Sequence, residues 1–116
     1  VPHFAGRIGP FLEYLGARGF DETLARALPT LRKHPIEYFR MFHVDTALFG
    51  APHAVACVVD FFGADRVLYG TDSPFDPEQG PGFIRDTVAD VDALAIPDAA
   101  CRQIYAGNAR RLLGLT

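Results

Sequence analysis

The chain has 116 residues, enough for one small domain with a modest core. Its 49% hydrophobic and 22% charged content suits an ordinary globular protein. A net charge of -3 with no basic stripe argues against nucleic-acid or anionic-membrane partners, and no apolar run reaches the roughly 18–20 residues of a membrane span.

Helical spacing of Phe4, Ile8, Phe11, Leu12 and Leu15 predicts an opening helix, kinked or restarted at Pro10 and ended by Gly16 and Gly19. Asp21 can cap a short helix over Glu22–Leu28 that Pro29 closes, and a further helical piece is expected over Thr30–His34. Phe39–Thr46 is the first strand candidate, with Phe39, Met41, His43 and Asp45 on one face. Gly50-Ala51-Pro52 then sets a helix start. Val55, Val58, Val59 and Phe62 form that helix's buried stripe, and Gly63 stops it.

Arg66–Gly70 reads as a short buried strand. Strand, helix and strand together span roughly 30 residues, the size of a βαβ unit with parallel strands. Pro74, Pro77, Gly80, Pro81 and Gly82 mark the next stretch as a loop. Ile84, Val88, Val91 and Leu94 make another helix face; Pro97-Asp98 opens a helix to about Ala106, and Asn108 can cap a last turn burying Leu112 and Leu113. The alternation predicts an α/β fold with a parallel sheet covered by helices. Two strands are too few for so many helices, and the chain opens on Val1. The reading is therefore one contiguous piece of a single domain, 1–116, with neighbouring strands elsewhere in the polypeptide.

The sharpest chemical signal is Val67-Leu68-Tyr69-Gly70-Thr71-Asp72-Ser73-Pro74-Phe75. A buried strand delivers a carboxylate at its C-terminal end, where parallel sheets and barrels gather catalytic groups. Asp72 is thus placed to ligate a divalent metal or to accept a proton from water the metal activates; the alternative is a carboxylate that only bonds backbone amides in an Asp-Ser-Pro turn. His43, if its strand face looks into a barrel, lines the site; the alternative is a buried imidazole satisfied by a carbonyl. Asp45 and Thr46, near a strand end, are candidates to line a pocket. His34, His53, Asp76 and Glu78 read as solvated. Cys57 and Cys101 have no metal-ligand spacing and read as buried free thiols, which points to the cytoplasm.

The stretch Val67–Phe75 resembles the final barrel-strand motif of the amidohydrolase-2 family, whose members include decarboxylases of aminocarboxymuconate-semialdehyde and γ-resorcylate type. Pro2-His3-Phe4-Ala5-Gly6-Arg7-Ile8 is similar to the family's Pro-Phe/Tyr-x-x-Gly-Arg-Ile segment. Phe42-His43-Val44-Asp45-Thr46 is similar to its penultimate strand, and Ile104–Leu113 to its closing Ile-x-x-x-Asn-Ala-x-x-Leu-Leu signature. The resemblance implies the C-terminal part of a metal-dependent (β/α)8 TIM barrel, using zinc or manganese. Asp72 is then both metal ligand and catalytic residue, and the metal-binding and catalytic histidines lie upstream of Val1. His3 stands where the family carries an aromatic residue and is a weak ligand candidate.

The resemblance also implies that Arg7 meets a substrate carboxylate across the interface of a homodimer, a task that suits the guanidinium fork. A surface arginine on an amphipathic helix is the alternative for Arg7. The implied activity is decarboxylation of a small carboxylated aromatic or muconate-type substrate, with a hydrolase or hydratase of the same fold as runner-up. A non-catalytic truncated domain that associates through open strand edges is the rival of another class. A single carboxylate cannot hold a catalytic metal, so 1–116 alone is expected to be inactive.

Overall fold

The computed structural model describes residues 22–115. The expected helix over Phe4–Leu15, the Asp21 cap, His3 and Arg7 lie outside the described residues. The described residues belong to two compact units that part between Phe42 and His43.

In the first unit, α1 (Glu22–Ala27) passes into a 3-10 turn at Leu28–Thr30 that contains Pro29. Residues Leu31–His34 do not continue the helix. Leu31 is extended at ψ 138, and His34 at ψ 139, because a following proline excludes the helical region for the residue before it. The helix begins instead at Pro35, as α2 (Pro35–Phe39). Glu37 supplies an N-terminal partner, its carboxylate accepting the His34 N–H at 2.9 Å. Phe39 therefore ends a helix and does not open a strand. The N–H groups of Met41 and Phe42 bond back to the carbonyls of Tyr38 and Phe39, so the chain is still turning there.

The second unit is built on two parallel strands, β1 (Val44–Asp45) and β2 (Val67–Leu68), with Val44 opposite Val67 and Asp45 opposite Leu68. Between them runs α3 (Pro52–Phe62), starting at Pro52 as its missing N–H permits. Val55, Val58 and Phe62 are buried as their spacing predicts; Phe61 is buried too, and Val59 only half-buried. Gly63 stops the helix at φ 85, donating to the Val59 carbonyl, and a Cβ there would meet Asp65 Oδ1 at 2.8 Å. A 3-10 turn, Ala64–Arg66, leads into β2.

After the loop comes α4 (Pro81–Asp92). Its buried face is Gly82, Thr87, Asp90 and Val91, while Ile84 is exposed and Val88 half-buried, so the helix is rotated from the expected Ile84–Leu94 stripe. Two polar side chains, Thr87 and Asp90, take part in that buried face, at 1% and 6% exposed.

The last helix is continuous in its path: α5 (Asp98–Arg102), a π turn over Gln103–Gly107, and α6 (Asn108–Leu113). A widened turn leaves a carbonyl outside the helical ladder, and that of Ile104 accepts the Tyr69 N–H at 3.0 Å. Asn108 is not a cap. It is itself helical and fully buried, and its Nδ2 donates to the carbonyls of Ala64 (2.7 Å) and Val67 (2.8 Å). The expected burial of Leu112 and Leu113 does not occur; both are exposed. The core gathers Val55, Val58, Val67, Val91 and Ile104 around β2. Backbone groups of β2 that face away from β1 thus find partners in this helix, against the bare edge foreseen for a two-stranded sheet.

Candidate active site at the end of the parallel pair

Parallel strands put their C-terminal ends together. Asp45 ends β1 and Thr46 follows it, where Tyr69, Gly70, Thr71 and Asp72 leave β2. The Thr46 N–H bonds to the Leu68 carbonyl at 3.1 Å, the last ordinary rung between the strands. Beyond it the Thr46 hydroxyl takes over, donating to the Gly70 carbonyl at 2.9 Å and accepting the Gly70 N–H at 3.1 Å. Thr46 is 1% exposed, so it supports the site from beneath and does not line it.

Asp45 does reach solvent. Its Oδ1 accepts the Ala47 N–H at 3.0 Å, an Asx turn that bends the chain away from β1. Its side chain lies over Gly70, where an added Cβ would stand 3.1 Å from Asp45 Cβ. Any larger residue would require the neighbour to give by a few tenths of an ångström, so glycine suits this close approach.

Asp72 follows two residues later in the left-handed region, at φ 58. Aspartate tolerates that region better than most residues, yet still at a cost. The Asp72 carbonyl accepts the Phe75 N–H at 3.2 Å, closing a turn over Ser73 and Pro74. The Asp72 side chain is exposed, and no hydrogen bond or ion pair joins it to another described residue. The amide-bonding role open to it in the sequence therefore falls elsewhere, to Asp76.

Asp76 is 7% exposed, not solvated. Its Oδ1 accepts the Glu78 N–H at 2.7 Å and its Oδ2 the Phe83 N–H at 3.2 Å. Burial works against its charge, but amides of Phe83, Glu78, Gly80 and Gly82 outweigh that and hold the carboxyl below the usual carboxylate range. The signal for this was present in Asp76-Pro77-Glu78, an Asx-turn sequence just ahead of the helix that opens at Pro81. Glu78 is exposed as expected, in a two-pronged pair with Arg85 at 3.0 and 3.1 Å.

His43 is half-buried, one residue before β1, at the opposite end of the pair from Asp72. His34 and His53 are exposed. Cys57 and Cys101 are free and only half-buried. Among the described residues no group of three His, Cys, Asp or Glu side chains could hold a metal ion, and no helix is long and apolar enough to cross a membrane.

A family profile described as Amidohydrolase matches residues 2–115. The chain belongs to the amidohydrolase family. The fold of this amidohydrolase chain is also similar to the crystal structure of 5-carboxyvanillate decarboxylase from Sphingomonas paucimobilis, with a TM-score of 0.69 at 22% sequence identity. That match covers 100% of this chain and 31% of the other. The parallel βα units seen here are thus part of an amidohydrolase TIM barrel, in which β2 and its following loop present Asp72 at the C-terminal face.

Proposed function

We propose that this chain is the C-terminal part of a divalent-metal-dependent amidohydrolase barrel that decarboxylates a small carboxylated aromatic or muconate-type substrate. The observation that carries the reading is Asp72. It is an exposed carboxylate without a protein partner among the described residues, held at the C-terminal end of a barrel strand. Such a group suits one position in the shell of zinc or manganese. The described residues offer no complete set, so the remaining ligands are assigned to residues beyond them.

A metal bound there supplies Lewis acidity to the substrate. What this chain's residues do is simpler to derive. Decarboxylation breaks the bond between ring or chain carbon and carboxylate, releases carbon dioxide, and leaves an electron pair on carbon that must take up a proton. Asp72 would hold one position on the metal and would pass a proton from water to that carbon. Arg7, outside the described residues, is assigned the substrate carboxylate, as the contribution of a second subunit of a homodimer. His43, at the opposite end of the strand pair from Asp72, is given no part at the reacting carbon.

Two further features support the reading. Phe49, Phe75, Ile84, Leu112, Leu113 and Leu115 are exposed large apolar side chains, as residues awaiting the rest of a barrel would be. The free thiols of Cys57 and Cys101 agree with a cytoplasmic enzyme. The test is carbon dioxide release by the complete enzyme from a panel of carboxylated phenols and muconates, beside lactone hydrolysis and hydration. Asp72→Asn should abolish release; turnover that survives this change, or appears only with lactones, would overturn the decarboxylase assignment.

A further inference from the structure

The pairing of β1 with β2 ends in an unusual way. In a regular parallel ladder the Gly70 N–H would bond to the carbonyl of Thr46, one rung beyond the bond from Thr46 N–H to Leu68. That carbonyl is occupied by the Leu48 N–H at 2.7 Å, because the chain bends away after Asp45. The Thr46 hydroxyl fills the vacated position. A hydroxyl has one proton to give and two lone pairs, so it can serve the Gly70 carbonyl and the Gly70 N–H together.

We propose that Thr46 is a positioning residue for Asp72. Its side chain adds a rung to the ladder after the backbone of β1 has left, and so fixes Gly70 two residues before the carboxylate. Three observations converge on this. Thr46 is 1% exposed, so its hydroxyl bonds are shielded from competing water. Gly70 is pressed against Asp45, which leaves the strand end no slack on that side. Asp72 itself sits at φ 58 with no side-chain partner among the described residues to hold it, so its place depends on the backbone leading to it.

The inference rests on Asp72 being a metal ligand, and the experiment separates the two ideas. Metal affinity of the complete enzyme is measured by titration with Mn(II) alone, beside hydrogen exchange at the Gly70 amide and thermal melting. Thr46→Val keeps the shape and removes both bonds; Thr46→Ser keeps the hydroxyl and removes the methyl. Loss of support behind a ligand typically weakens metal affinity about 10–100-fold. The expected result is a loss of that size for Thr46→Val with faster Gly70 exchange, and affinity within a few-fold of wild type for Thr46→Ser.

Gly70→Ala tests the same contact from the other side and stands in should Thr46→Val not fold. Its Cβ would stand 3.1 Å from Asp45 Cβ, so the strand ends must part by a few tenths of an ångström, and metal binding should weaken. Wild-type affinity in Thr46→Val or Gly70→Ala, while Asp72→Asn loses the metal, would overturn the positioning role and leave the ligand assignment standing. Equal losses in Thr46→Ser and Thr46→Val would also overturn it, since packing and not the hydroxyl would be responsible. Metal retained by Asp72→Asn would sink both.

Discussion

Asn108 makes the most demanding test of how β2 is held. Its side chain is fully buried, and its Nδ2 is shared between the carbonyls of Ala64 and Val67. Asn108→Leu keeps the approximate volume and removes both bonds. The Val67 carbonyl lies inside the core, and a buried acceptor left unpaired costs about 1–3 kcal/mol. The Ala64 carbonyl, in a half-buried turn, recovers part of its loss from water. Asn108 Oδ1 has no partner even in the native fold, so its removal returns about 1 kcal/mol of desolvation. The net destabilisation is about 1–3 kcal/mol, which for a folding unit of about 100 residues lowers Tm by on the order of 5–20 °C. Urea and thermal unfolding followed by circular dichroism measure it. Asn108→Asp should be worse, because an ionised carboxylate can only accept hydrogen bonds and would face two carbonyls. An Asn108→Leu protein as stable as wild type would refute the idea that this amide fastens the strand.

The two buried carboxylates should respond to acid in opposite directions. Burial, with Asp86 adding to it, raises the Asp90 carboxyl, so Asp90 adds stability as pH falls through its raised folded value; Asp90→Asn should flatten that gain. Backbone amides lower Asp76, whose contribution is present above its unfolded value and lost as pH falls through the lowered folded one. Asp76→Asn should remove that acid-sensitive part and loosen the loop before α4, both visible in unfolding curves across acidic pH. Asp72→Gly should relieve the left-handed backbone at φ 58, raising stability by about 1 kcal/mol while removing metal binding, a split that melting and metal titration would register together.

Elements coded by local chemistry were legible in the residues. Pro52 and Gly63 bound α3 as their backbone preferences dictate, and the apolar run before Gly70 delivers Asp72 to the end of β2. Failures came where a competing local signal or a distant contact decides. Alternation over Phe39–Thr46 pointed to a strand, yet Pro35 and Glu37 start a helix that holds Phe39, leaving only Val44 and Asp45 to pair. The buried face of α4 takes in Thr87 and Asp90, polar residues that an apolar spacing rule passes over. Asp76 and Asn108 read as a solvated charge and a cap, but both are buried and bonded to backbone far beyond their own turn or within the following loop. Of the site, Asp72 and Asp45 came from motif and strand position. The role of Thr46 required knowing that its own carbonyl is already taken.

The most direct test is the metal content of the complete barrel protein, purified without chelator, in wild-type and Asp72→Asn forms. If the account is right, the wild type carries zinc or manganese in stoichiometric amount and the variant, still folded, carries almost none. An Asp72→Asn protein that keeps its metal would contradict it.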